Sequence, residues 1–483
     1  MKPAPVRAGP HAEPRPSRRR LLRSAWGSSA ASLASVATTG PIAWLSGCTS
    51  APASHEHGST LATGQPAAAD RRDASVGTAR QATDAFRFEA GVGLRAGGPE
   101  LARYADARGV FPEATRTNWW PQRYSVDGFS RLGELLPSAV SRAGAQVSPL
   151  RRAEREPAID YLGAGQSLRA PLQTYFDRNP VTGLMVLRDG EVLIERYQYA
   201  RTPAHRFTSF SMAKTLVAAM VGLALEDGAI ASIDDPAERY APGLAGTEYG
   251  RTPLRHLLTM SSGVRFREDY DGQDDSARLS RAVTGGQSPG GADVVRPFNE
   301  RIAAPGERWY YASAETFVLA LALRGALRRS LADYFSERVW RPLGAQTDAL
   351  WLTDRSGLEA GYMGFHATLP DYGRLAAMLA AGGRVGTGAQ ARQILPSAWL
   401  SDMTRAQVSA SRTGRWFGYG YQTWVFPTND RSFALLGVRG QAIYVDPVRR
   451  LAMVHTAVRP AARDPGGADA TALWRGLLGA MRG

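Results

Sequence analysis

The sequence predicts an α+β fold in which an antiparallel sheet is flanked by helices and adjoined by a mostly helical region. Three observations predict it. Residues 182–200 hold two β-rich stretches around Asp189-Gly190, a dipeptide suited to a tight hairpin turn. Strand-like runs return near the far end, at 432–436, 441–446 and 451–458. Between them the apolar residues follow a helical period, as at 314–328 and 371–381, and a final helix is expected at 471–481. Strands at both ends of the body imply that the ends meet in one sheet with the helical middle packed beside it, an arrangement distinct from a doubly wound sheet.

The elements follow in order. Residues 1–47 read as an address. SRRRLLRS, at 17–24, sets consecutive arginines before leucines and a mildly apolar stretch rich in Ala, Ser and Gly, and it resembles a twin-arginine export signal. That stretch is too polar for a good membrane span. It ends in LSGC, at 45–48, which resembles the lipobox of bacterial lipoproteins, where the cysteine is lipidated and becomes the mature first residue. Cys48 is the single cysteine of the chain, so no intrachain disulfide is possible and export rests on the signal alone. The other reading of Cys48, a buried structural thiol, fits poorly with neighbours that carry no core pattern. The expectation is an exported protein on the periplasmic or cell-surface side, held to the membrane by lipid on Cys48. Residues 48–85, dominated by Ala, Ser, Thr, Gly and His, are the expected flexible tether. Large side chains return at Phe86 and Phe88 and aromatic density rises at Trp119-Trp120, so 86–164 are expected to extend the folded body and 165–483 to form its main domain.

The 483 residues carry a formal charge of +14, which raises the question of nucleic acid. Residues 1–47 alone hold seven Lys/Arg and one Glu, and without them the balance is +8. The remaining arginines are dispersed, with no basic helix, and read as a solvated surface. Nucleic acid is not an expected partner.

The chemistry concentrates in TSFSMAKTLVAAMVGLALEDG, at 208–228, which follows the hairpin directly. Between Met212 and Leu225 only Lys214 and Thr215 are strongly polar, as in a helix buried on every face. An unpartnered buried ammonium is so costly that such a lysine lowers its pKa or finds hydrogen-bond partners. Ser211 lies three residues earlier, on the same helical face. Thr208 and Ser209 are candidate N-caps, which would start the helix near Ser211 and aim its amide donors at the hydroxyl. A neutral Lys214 beside Ser211 would make an activated nucleophile. The same residues also fit a core helix whose lysine snorkels to its edge, with Ser211 as a cap.

Further along come Ser232-Ile233-Asp234-Asp235-Pro236, then TPLRHLLTMSSG at 252–263, expected as a short helix closed by glycine, and PGERWYYAS at 305–313. This ordered set resembles the serine β-lactamase and penicillin-binding superfamily from about residue 165 onward. GVRFREDY at 263–270 and GVRGQAIYVDP at 437–447 are most similar to the 6-aminohexanoate-dimer hydrolases and their esterase relatives. The resemblance implies a β-lactamase/transpeptidase-like fold and a catalytic set of Ser211, Lys214 and Tyr311, with Ser313 completing the polar network around the lysine. A phenol near a cationic lysine is expected to have its anion favoured and to shuttle a proton to a leaving group.

The third motif departs from the antibiotic-related branch. Leu435-Leu436-Gly437 stands where penicillin-binding members carry Lys-Thr-Gly or His-Thr-Gly, so the cation and hydroxyl that hold a substrate carboxylate are missing. Arg439 is a candidate to supply the charge. The backbone role survives, because any residue has an N–H, and the amides of Ser211 and Val438 are the expected oxyanion hole. The resemblance also points to Tyr270, on a loop whose Asp/Gly/Ser content at 269–276 suggests mobility, and to His366 as substrate-binding residues. The seven histidines form no convincing metal set, and no cofactor is needed.

The expected activity is that of a serine hydrolase acting on a small amide or ester through an acyl-enzyme. The rival expectations are a penicillin-interactive D-Ala-D-Ala carboxypeptidase or β-lactamase, and a non-catalytic lipoprotein that binds cell-wall fragments.

Overall fold

Asp189 and Gly190 take φ angles of 52° and 79°, the left-handed pair that lets a two-residue turn follow the right-handed twist of its strands. The strands on either side are Val181–Arg188 and Glu191–Tyr197, paired antiparallel from Arg188 opposite Glu191. This is a computed structural model, and it describes residues 85–428, 431–463 and 466–481. The expected export signal at 1–47, Cys48 and the expected tether up to residue 84 lie outside the described residues.

The hairpin is the middle of a nine-stranded sheet. In spatial order its strands are Arg87–Glu89, Val92–Leu94, Glu191–Tyr197, Val181–Arg188, Leu451–Ala457, Ala442–Asp446, Phe433–Leu436, Trp424–Val425 and Gly418–Tyr419. Leu451–Ala457 pairs antiparallel with Val181–Arg188, so strands from the two ends of the body do meet. Val92–Leu94 pairs parallel with Glu191–Tyr197.

Side chains alternate across the sheet as the two-residue period requires. Leu184 and Val186 face one core with Tyr175, Tyr444, Trp474 and Leu477, beneath helices Leu172–Arg178 and Gly466–Ala480. Met185 and Leu187 face the other core, covered by helix Leu369–Ala380. Burying a side chain of this size contributes roughly 1.5–3 kcal/mol, so both sheet faces are committed to the interior.

The second core holds the helical middle. Helix Ala213–Glu226 has every residue from Ala213 to Ala224 buried and packs against helix Ser313–Leu327. A second sheet, which the sequence did not suggest, orders Ser138–Ser141, Ala349–Leu352, Phe365–Thr368 and Arg206–Thr208. Residues 86–164 therefore give edge strands to both sheets.

One local expectation is corrected. The helix in HLLTMSSG spans only Leu254–Leu258 and is not closed by Gly263. Met260 takes a φ of 55° instead, and Gly263 is needed for another reason: a Cβ there would lie 2.0 Å from the Ala303 carbonyl oxygen.

Candidate active site

Ser211 lies in a 3₁₀ turn, Phe210–Met212, that runs straight into helix Ala213–Glu226. The N-cap expectation fails here. Ser209 Oγ donates to the Phe210 carbonyl and accepts from the Phe365 N–H, while Thr208 pairs with His366 in the second sheet. The turn is held by strand contacts rather than by a capping side chain.

Lys214 is 1 % exposed, and its Nζ lies 3.1 Å from Ser211 Oγ, 3.0 Å from Ser313 Oγ and 2.9 Å from the Tyr362 carbonyl oxygen. Three acceptors suit an ammonium, which has three donors. They also suit a neutral amine, whose two N–H groups serve Ser313 and Tyr362 while its lone pair faces the Ser211 hydroxyl. Burial lowers the Lys214 pKa to about 8, against the opposing field of Glu268.

Glu268 belongs to the site without any local signal in the sequence. It is 2 % exposed, although it lies in the charged stretch Arg267-Glu268-Asp269-Tyr270. Its Oε2 accepts the Ser313 N–H at 2.6 Å, and its Oε1 accepts the hydroxyls of Ser313 at 2.9 Å and Tyr270 at 2.7 Å. A continuous polar chain thus runs from Ser211 through Lys214 and Ser313 to a buried carboxylate. Nothing in the local sequence separates Glu268 from its exposed neighbour Asp269; only burial does.

Tyr270 reaches the site from a loop that is closed by its own hydrogen bonds. Asp274 Oδ2 accepts from the N–H groups of Asp269 and Tyr270, and its Oδ1 caps helix Asp275–Thr284. The aspartates of 269–276 act as turn-closing acceptors.

Tyr311 stacks on Trp424, with ring centroids 5.4 Å apart, and its ring lies 5.1 Å from Lys214 Nζ. Its pKa moves opposite to expectation. Burial first and then Glu268 push the phenol well above its ordinary value, outweighing the interaction with Ser211 that favours the anion. Tyr311 is therefore a neutral phenol, a proton donor rather than a phenolate.

The third-motif segment forms the facing wall. Strand Phe433–Leu436 leads through Gly437 into a 3₁₀ turn, Val438–Gly440. A Cβ on Gly437 would lie 2.4 Å from the Ser209 carbonyl oxygen, so glycine is what lets this strand close on the nucleophile turn. Ser211 and Val438 each stand at the front of a 3₁₀ turn, where backbone N–H groups have no acceptor within the turn. The cleft between them is lined by Ser211, Tyr270, Tyr311, Trp424, Gly437 and Val438, with Arg415 and Arg463 at its edge.

Two proposed substrate contacts are not in the cleft. Arg439 is 5 % exposed and turns the other way, donating to Gln122 Oε1, the Trp120 carbonyl and the Arg459 carbonyl. Its left-handed φ of 61° swings the side chain off the strand alternation. His366 is fully buried in the second sheet between Thr208 and Leu350, with Nδ1 3.1 Å from the Gly364 carbonyl oxygen, and burial pushes its pKa down to about 4. It is a neutral core histidine. The cations that do reach the cleft are Arg415 and Arg463. Neither has a carboxylate partner among the described residues: Arg463 donates to the Glu268 carbonyl and lies over the Tyr270 ring, and Arg415 lies against Trp309 and Trp424. Among the described residues no group of three or more His, Cys, Asp or Glu is placed to hold a metal.

Comparison with known proteins gives a consistent set of relatives. Residues 172–476 match the family model described as Beta-lactamase. The 6-aminohexanoate-dimer hydrolase of Paenarthrobacter ureafaciens is 26% identical over 371 residues, covering 74% of this chain and 90% of that protein. A solved structure from Bacillus anthracis, described provisionally as a 6-aminohexanoate-dimer hydrolase, superposes with a TM-score of 0.66 at 21% identity, over 75% of this chain and 96% of the other.

Proposed function

The chain belongs to the beta-lactamase family of serine hydrolases, and from that premise we propose that it cleaves an amide or ester bond through an acyl-enzyme on Ser211. The observation that carries this reading is the 3.1 Å approach of Lys214 Nζ to Ser211 Oγ at the floor of an open cleft. Lys214 in its neutral form takes the Ser211 proton as Oγ bonds to the substrate carbonyl carbon. The N–H groups of Ser211 and Val438 hold the oxyanion. Tyr311 gives its proton to the departing amine or alcohol as the scissile bond breaks, and recovers one from the Lys214 ammonium. Water then adds to the acyl carbon, its proton passing to Lys214, and the acid leaves as Ser211 Oγ is reprotonated.

Changing Ser211 to Ala is expected to abolish turnover of p-nitrophenyl esters and labelling by a fluorophosphonate; undiminished labelling would remove Ser211 as nucleophile. The penicillin-interactive reading shares Ser211, Lys214 and Tyr311 and is favoured by strong covalent capture of fluorescent penicillin. The loss of the third-motif cation argues against it. A non-catalytic wall-binding role would leave the protein inert across an ester panel with ligand binding intact.

We also propose that the protein is exported and anchored to a membrane by lipid on Cys48. No helix among the described residues is long and apolar enough to cross a membrane. Incorporation of radiolabelled palmitate that disappears in a Cys48→Ala variant is the expected result.

A further inference from the structure

Left-handed backbone angles flank both proposed oxyanion donors, Phe210 with a φ of 41° before Ser211 and Arg439 with a φ of 61° after Val438, while Tyr270 in the cleft lining takes a φ of 65°. For bulky residues this conformation is strained and persists only where surrounding contacts impose it. Phe210 precedes Ser211, so its dihedrals set the plane of the peptide whose N–H belongs to Ser211. Arg439 follows Val438 and fixes the turn that the Val438 amide opens.

Both side chains point away from the cleft and end on the same two rings. The Phe210 ring meets Phe129 edge-on at 5.0 Å and Trp120 at 5.8 Å. The Arg439 guanidinium lies 4.3 Å from the Trp120 ring centroid and 5.7 Å from that of Phe129. It also donates to the Trp120 carbonyl at 3.2 Å and to Gln122 Oε1 at 2.8 Å, and Gln122 in turn donates to the Val458 carbonyl at 2.7 Å. Trp120, Gln122 and Phe129 all precede the stretch that matches the family model.

We propose that Trp120 and Phe129 form a clamp in which the N-terminal extension holds Phe210 and Arg439 in their left-handed conformations and so aligns the Ser211 and Val438 amides on the oxyanion. Trp120 is a positioning residue: it acts through Phe210 and Arg439 and does not line the cleft. The proposal rests on the reading of those two amides as the oxyanion hole. Trp120 keeps 40 % of its surface exposed, so its removal opens no deep cavity and the effect on alignment is separable from the effect on folding.

The test compares an ester with the matching thionoester, whose sulfur is a poor acceptor for oxyanion-hole amides. In the full-length protein, Trp120→Ala is expected to lower kcat for the ester by about 10- to 100-fold with KM changed less than about threefold, in line with misplaced catalytic groups. The ester/thionoester ratio of kcat/KM is expected to shrink by a similar factor, while fluorophosphonate still labels Ser211. Trp120→Phe, which keeps a ring under Arg439, restores most of the ratio. A fall in kcat with an unchanged ratio, or no change in either, overturns the clamp. If Trp120→Ala does not fold, Trp120→Leu is read by the same criteria. A wild-type protein that is unlabelled at Ser211, or that shows no preference for the ester, defeats the underlying reading of nucleophile and oxyanion hole instead, and with it the clamp.

Discussion

Lys214 shows how much one buried charge decides. Its amine meets three acceptors and its pKa is lowered to about 8, so raising the pH converts it from ammonium to general base. The predicted kcat/KM profile rises with pH, inflects near 8 and levels above it; a profile flat from pH 6 to 9 would contradict the assignment of Lys214 as base. Tyr311, a phenol held above its ordinary pKa by burial and Glu268, adds no inflection of its own in that range. Tyr311→Phe is expected to lower kcat by about 10²- to 10⁴-fold, the usual contribution of a positioned proton donor. At the cleft edge Arg415 and Arg463 carry charge with no carboxylate partner among the described residues. Exchanging Arg415 for Gln is therefore expected to raise KM for a carboxylate-bearing ester several-fold and leave a neutral ester almost unaffected, read from parallel Michaelis curves. Ser211 and Lys214 were legible because i, i+3 spacing in an apolar run is a local signal. Glu268 was not, since its importance lies in contacts with Ser313, 45 residues away.

At the scale of elements, helix Ser313–Leu327 carries a further buried acid, Glu315. Ser262 donates to its Oε1 through both Oγ and N–H, while Oε2 has no hydrogen-bond partner among the described residues. Burial pushes the Glu315 pKa from 4.5 up to about 8. The folded state thus holds a proton that the unfolded chain has released, so this group's contribution to stability is whole below about pH 4.5 and is lost as the pH rises to about 8. Glu315→Gln keeps an acceptor for Ser262 and carries no charge. Its Tm advantage over the wild type is expected to grow between pH 5 and pH 8, reaching roughly 2 °C by differential scanning calorimetry; a constant difference would show that Glu315 does not titrate there. The helices and the hairpin were readable from periodicity and turn chemistry because each depends on neighbours in the chain. The second sheet was not, for its strands have two to four residues in pairing and join segments as distant as Ser138–Ser141 and Ala349–Leu352.

The whole molecule ties the extension to the body. Residues 86–164 supply the edge strands Arg87–Glu89 and Ser138–Ser141, the strand Val92–Leu94 that joins the first of them to the body, and the rings of Trp120 and Phe129. A chain beginning at residue 165 contains the entire stretch matched to the family, yet it bares the backbone edges of Glu191–Tyr197 and Ala349–Leu352. It is expected to aggregate, whereas a chain beginning at residue 85 stays soluble and active. A soluble 165–483 protein with cooperative unfolding would show that the extension is dispensable. The sequence alone determined what is local: the α+β class, the hairpin at Asp189-Gly190, the buried helix and the pairing of Ser211 with Lys214, all set by spacing along the chain. Tertiary structure decided what depends on burial and on the approach of distant segments. It drew Glu268 into the network and turned Arg439 and His366 out of the cleft. It also brought Gly437 against Ser209, because whether a polar group meets a partner or solvent is fixed only when the chain is folded.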